Sequence, residues 1–169
     1  KVTGPEWTFY YFGWNNAKPW FKDKRVRRAM AYAFDHKEML EKLNYGLTSP
    51  GNGPFNPTSK MYPKKKLPFF EQDLDKAEQL LQAGGWEDSN GDGVLDKNGV
   101  RFEFTIICAD VPERVKMCAL LKECLEQLGI VCNVRPMEIA TVFAKLESRD
   151  YDAVFAGFGT GAGPDTSDK

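Results

Sequence analysis

Histidine is almost missing from this chain: His36 is the only one in 169 residues. No GxSxG, HExxH, Walker or GxGxxG pattern occurs either, so hydrolase, zincin and nucleotide-binding readings lose their usual support. Charge of one sign is missing too. The 23 Lys+Arg and 24 Asp+Glu interleave to a net charge of -1, which provides no bulk field for nucleic acid or an anionic membrane. Apolar runs last only a few residues, too short for a bilayer-spanning helix. No CxxC pair exists, and the spacings of Cys108, Cys118, Cys124 and Cys132 fit no zinc site. The chain also has no initiator Met and no charged-then-apolar leader. Both ends look cut, at KVTGPEW and at GAGPDTSDK, so the expectation is a segment of a longer protein.

What is present is a globular composition, 42% hydrophobic and 28% charged, enough for one domain with a core. The segment 6–14 (EWTFYYFGW) is dense in aromatic residues and reads as a strand. Because the run from Phe9 to Phe12 is apolar on both sides, this strand is expected to be covered on both faces. From Lys24 the spacing of Val26, Met30, Ala33 and Phe34 is helical, with Arg25, Arg27 and Arg28 expected as a solvated stripe. Asp35 and Glu38 have the spacing of a capping box for a second helix, carrying Met39, Leu40 and Leu43 and ending near Gly46. His36, in its first turn, is expected to be solvated.

Residues 46–72 hold five prolines, three glycines and the run Lys64-Lys65-Lys66, which predicts a long ordered surface crossing. Asp73 or Asp75 restarts a helix through KAEQLLQAG, closed by Gly84-Gly85, with Trp86 folding back onto it. Strand, helix, strand, helix, strand then follow over 101–108, 112–129, 130–135, 139–149 and 151–158. That alternation is the βαβ pattern and predicts an α/β fold with a mainly parallel sheet and flanking helices. Ligands on such sheets sit beyond the carboxyl ends of the strands, here near Ala109-Asp110, Pro136-Met137 and Gly157 to Gly163.

Two local features carry chemistry. Asp88, Asn90, Asp92 and Asp96 stand at positions 1, 3, 5 and 9 of a loop with Gly93 at 6, a calcium-loop pattern. Position 12 is Gly99, where a calcium loop has a bidentate Glu, and a strand rather than a helix follows. The alternative is a Gly/Asp turn whose side chains bond their own backbone. The cysteines read as small buried hydrophobes. Cys108 and Cys132 fall at opposite ends of neighbouring strands, and Cys118 and Cys124 cannot reach each other along one helix. A bridge from Cys124 to a residue outside this segment stays open.

The run FGWNNAKPWFKDKRVRRAMAYAFDHKEML resembles the bacterial extracellular solute-binding proteins of family 5, the peptide and nickel receptors of ABC importers. The resemblance continues in order through Asp73 and KAEQLL, Gly84-Gly85-Trp86, Leu128-Gly129-Ile130, Glu138, and Asp150-Tyr151-Asp152 running into Gly157. It implies a periplasmic-binding-protein type II-like lobe, with residues 1–169 forming most of the second lobe of a two-lobed clamshell. The whole protein would capture a peptide or other small polar solute, hand it to an ABC permease, and lie in the periplasm or outside the cell, with a lipid anchor as one form of attachment. No catalysis is implied and no cofactor is required; the alternative is a calcium-stabilised interaction module built on the Asp88 loop.

Family resemblance also marks ligand-binding positions. Where members often carry Trp after the matched Glu138, this chain has Ile139; where some have Arg, it has Phe155; where Trp is usual, Phe158. Many members pair a peptide's amino terminus with an Asp where this chain has Gly161, which removes a charge-assisted anchor. Asp165 substitutes for it only if the loop shifts.

Overall fold

The computed structural model describes residues 8–43 and 69–159. Gly46, most of the Pro/Gly crossing, Gly161 and Asp165 lie outside the described residues.

Six strands and five α-helices follow the chain as β1 (Thr8–Trp14), α1 (Lys24–Ala33), α2 (His36–Glu38), α3 (Leu74–Ala83), β2 (Asp96–Lys97), β3 (Val100–Arg101), β4 (Glu103–Ala109), α4 (Pro112–Glu126), β5 (Val131–Met137), α5 (Ile139–Ser148) and β6 (Ala153–Gly159). The main sheet has the order β1-β6-β4-β5. Strand β4 runs parallel to both β5 and β6, while β1 pairs antiparallel with β6 from Thr8 opposite Gly159 to Trp14 opposite Ala153. The α/β fold with a mainly parallel sheet is therefore present, with one antiparallel edge.

That edge corrects the expectation for β1. The strand is not covered on both faces: it is half-buried along its length, with Tyr10 44% exposed. Its aromatics pack along the ladder instead of filling two cores, with Phe12 tilted against Phe155 (4.9 Å) and Tyr11 stacked on Phe158 (5.4 Å).

The two faces of the sheet are unequally packed. One face meets α1, α3 and α4 in a core that includes Phe21, Phe102, Phe104, Ile106 and Leu121. The other is a small cluster of Ile107, Val142 and Val154 beneath α5. The alternation of β4 explains this partition, since Phe104, Ile106 and Cys108 point one way and Ile107 the other.

Local chemistry fixes where the helices begin. The Asp23 carboxylate accepts the Arg25 amide (2.8 Å) and Asp73 accepts the Lys76 amide (2.9 Å), each capping a helix. Asp35 accepts the Glu38 amide (2.8 Å), but the reciprocal half of the expected capping box is missing: the Glu38 carboxylate pairs with Lys42. Helix α2 is a single turn that widens into a π-helical turn over Met39–Leu43.

The arginines are tethered as well as exposed. Arg25 binds Asp23 and the carbonyl of Ala83, tying α1 to the end of α3, and holds the Asp23 carboxyl down to about 2. Arg27 donates to the carbonyls of Phe21 and Lys22. Two of the three residues expected as a solvated stripe thus hold loop to helix.

His36 also departs from expectation. Its ring is packed edge-on between Phe34 and Phe69, each 5.0 Å away, and Nδ1 is buried with no hydrogen-bond partner. Burial lowers its pKa from the ordinary 6.5, outweighing the opposing pull of the Phe34 carbonyl and Asp35. A base whose folded pKa is depressed takes up protons more readily when unfolded. Its contribution to stability is therefore complete above about pH 6.5 and is lost as pH falls through the folded value. Urea midpoints at neutral pH and at pH 5 should converge when His36 is replaced by Phe; an unchanged acid sensitivity would assign the effect to other groups.

Candidate functional site

The parallel strands end together: Ala109 lies opposite Met137, Cys108 lies opposite Phe155, and the Asp110 amide donates to the Met137 carbonyl (2.9 Å). Beyond that edge α4 and α5 begin. Strand β6 continues past β4 and pairs only with β1 over Ala156 to Gly159. The opposite end of the sheet is closed by polar clips. Asp152 accepts the Thr105 amide (3.0 Å) and pairs with Lys18 (2.9 Å), and the Asn15 side chain donates to the Tyr151 carbonyl (2.8 Å). These contacts explain the paired Asn15 and Asp152 of the sequence motif, since they complete the ladder where β6 has not yet begun.

Among the described residues, the carboxyl edge carries most of the large apolar side chains left in solvent. Ile139 is 48% exposed, Phe143 56% and Phe158 61%, with Tyr10 and Val111 beside them in the fold. Exposed aromatics gathered at one end of a rigid sheet are unusual, and they suit ligand contact.

Phe155 and Phe158 do not act together. They are three residues apart on one strand, so they face opposite sides of the sheet. Phe158 lies with Tyr11 on the α5 side, the side on which Ile139 opens its helix. Phe155 is only 5% exposed and stacks under Tyr10 at 5.8 Å. On that side Tyr10, not Phe155, is the ring open to solvent. Above the same ring stands the Arg114 guanidinium, 5.9 Å from its centroid, a cation–π arrangement at the first turns of α4.

Tyr10 and Arg114 were missed by sequence reasoning, although a signal exists. Tyr10 lies opposite Gly157, and a Cβ at Gly157 would stand 2.7 Å from the Tyr10 ring. The glycine opposite an aromatic is what lets the ring lie flat across the strand. Ile139 and Phe143, four apart on α5, likewise exceed the single buried residue, Val142, by which that helix is anchored.

The Asp88 loop lies at the other end of the sheet. Leu95 donates its amide to the Gly129 carbonyl (2.8 Å), next to the start of β5, and Phe102, just before β4, donates to the Leu95 carbonyl (2.7 Å). Its oxygens are engaged by the loop's own amides, by Ser89 and by Arg101. Asp88 accepts the amides of Gly91, Asp92 and Gly93, at 2.8, 3.1 and 2.9 Å. Asn90 accepts the Asp92 amide, Asp92 accepts the Val94 amide and pairs with Arg101, and Asp96 is bound by Ser89. The Val94 amide, followed by Arg101, lowers the Asp92 pKa. Among the described residues no three His, Cys, Asp or Glu side chains are grouped as a metal ion requires. The amide bonds are Asx-turn bonds within the loop, and Arg101 ties the loop to β3. Because these oxygens already have partners, melting curves in calcium and in EGTA are expected to coincide; a higher melting temperature in calcium would assign Asp88, Asn90, Asp92 and Asp96 as ligands.

A family model described as bacterial extracellular solute-binding proteins, family 5 Middle, matches residues 1–168. The oligopeptide-binding protein AppA of Bacillus subtilis (strain 168) is 33% identical over 171 residues, covering 99% of this chain and 32% of its own length. The solved structure of AppA from Bacillus subtilis in complex with a nonapeptide superposes with a TM-score of 0.89 at 32% identity, over 96% of this chain and 33% of that one. NikZ from Campylobacter jejuni, solved in complex with Ni(L-His), gives a TM-score of 0.83 at 25% identity, over 95% and 31% of the two chains. The chain thus spans about a third of the length of the relatives it matches.

Proposed function

The chain belongs to the bacterial extracellular solute-binding proteins of family 5, and from that premise we propose that it is one wall of the ligand cleft of an ABC importer's receptor. The observation that carries this reading is the carboxyl edge itself. There Tyr10, Phe158, Ile139 and Phe143 present apolar surface on a framework of paired strands. A second lobe supplied by the rest of the protein closes over that edge, and burial between the two walls provides the binding energy. The role is capture outside the cytoplasmic membrane and delivery to the permease; among the described residues no helix is long and apolar enough to cross a membrane. Residues 1–169 form a single lobe in this scheme.

The solute is a peptide or another small polar molecule whose apolar parts lie against the aromatics. The AppA relative holds a nonapeptide, and its similarity favours a peptide here. Gly161 in place of the usual acidic partner argues against a strong requirement for a free α-amino group. Isothermal calorimetry of the full-length receptor tests this with matched peptides, free and acetylated at the amino terminus. Comparable affinity for both is the expected result. Binding that depends strongly on the free amine would overturn the assignment to Gly161, and no binding of any peptide would remove peptides as the solute class.

A further inference from the structure

Helix α1 carries two hollows that meet at Ala31 and Phe70. Neither belongs to the carboxyl edge. Trp14, which lines one of them, lies opposite Ala153, the first residue of β6. The hollows therefore sit toward the amino end of the parallel strands, away from the proposed cleft. The smaller one, about 190 Å³, is walled by a run of rings. Phe12 packs on Trp14 at 6.3 Å and edge-on to Phe34 at 5.1 Å, and His36 stands 5.0 Å from both Phe34 and Phe69. An apolar cavity of about 150 Å³ takes a benzene ring, so this slot has room for one ring and little more. Burial lowers the His36 pKa, which keeps its imidazole neutral at pH 7 and the slot uncharged.

The larger hollow, about 580 Å³, has cations in place of rings. Lys24, Arg27 and Arg28 line it with Ala31, a spacing that puts all four on one face of α1. Arg27 is committed to the carbonyls of Phe21 and Lys22, at 2.7 and 3.0 Å. Lys24 and Arg28 are exposed and form no ion pair among the described residues. Of the acids that adjoin the hollow in sequence, Asp23 is bound to Arg25, and Glu71 is exposed and pairs with neither cation. An uncompensated positive rim thus opens directly onto an aromatic slot.

We propose that the joined hollows are a second binding site, distinct from the cleft, for a small aromatic carboxylate. The arene fills the ring-lined slot, and a short arm passes Ala31 to bring the carboxylate to Arg28 and Lys24. Arg28 stands about one helical turn, roughly 5 Å, from Ala31, so an arm of two or three bonds covers the distance. The planar guanidinium meets a carboxylate with two parallel hydrogen bonds. Each half alone binds weakly, because an exposed ion pair contributes little and one ring buries little apolar area. A ligand with both groups on a short arm gains from the two contacts together.

The test is calorimetry and saturation-transfer NMR on the full-length receptor with 3-phenylpropionate as the probe. A Kd of about 1 mM or tighter is expected. The neutral 3-phenylpropionamide and the ringless propionate should each bind at least tenfold more weakly. Arg28→Glu changes an exposed side chain, so it should leave the melting temperature in place while weakening 3-phenylpropionate tenfold or more. Gly157→Val, which disturbs the cleft, should leave the affinity for this probe unchanged. No binding, equal affinity for the three compounds, or an undiminished affinity in Arg28→Glu would each overturn the site. A loss confined to Gly157→Val would move the probe to the cleft and overturn it too. No step assumes a peptide solute, so failure here leaves the receptor reading standing.

Discussion

Phe21→Ala should lower the stability of this protein by about 3–5 kcal/mol, the largest loss expected from a single side chain here. Phe21 comes from the loop between β1 and α1, yet it has no solvent exposure. Its ring packs on Trp14 at 5.0 Å and edge-on to Phe104 at 5.0 Å, with Phe102 at 6.3 Å. Those partners come from β1, from β4 and from the residue preceding β4, so one ring joins the antiparallel edge to the parallel part of the sheet. Removing it leaves a cavity that aromatic neighbours in fixed rotamers cannot fill. Against a usual total of about 5–15 kcal/mol this is a large share. It corresponds to a fall of about 10 °C in melting temperature for a chain of this size. Urea titration of the variant measures it. A change of midpoint with constant slope is expected, and a loss below about 1 kcal/mol would show that the core repacks.

Gly157→Val should act on the cleft more than on the core. The added carbon would stand 2.7 Å from the Tyr10 ring and 3.3 Å from the Thr8 side chain. Phe155 beneath Tyr10 is buried and cannot retreat, so the ring must leave its seat between Phe155 and Arg114. The expected stability cost is modest, about 1–2 kcal/mol. The expected cost in ligand affinity of the full-length receptor is tenfold or more, or about 1.4 kcal/mol, because the proposed ligand wall would have moved. Calorimetry alongside thermal melting separates the two effects. Wild-type affinity in a folded Gly157→Val variant would place the ligand away from Tyr10.

The success of sequence reading varied with the range of the interactions involved. The cap at the start of α3 is legible to within two residues, Asp73 or Asp75, because an Asx cap needs only the next three residues. The inward set Phe102, Phe104, Ile106 and Cys108 is legible because a strand alternates strictly. The run from Phe9 to Phe12 misled because an aromatic strand buried on two faces and an aromatic edge strand look alike until the partner strand is known. The pairing of Glu38 with Lys42 rather than with its own cap was a contest between two nearby groups, which the sequence pattern does not resolve. Candidate ligand residues were harder still. Phe155 and Phe158 stand three apart, and that odd spacing alone places them on opposite faces, but Tyr10 enters the site only through its register with Gly157.

The unequal burial on the two faces of the sheet has a mechanical consequence. Helix α4 buries five side chains and α5 only one, Val142. Amide hydrogens of α5 should therefore exchange with deuterium well before those of α4, through openings that leave the rest of the fold intact. Ile139 and Phe143 ride on that loosely seated helix, whereas Tyr10 is braced from below by Phe155. In the proposed receptor one side of the cleft would thus be compliant and the other stiff, a division of labour that would let it hold the shared part of its solutes firmly while yielding to the part that varies.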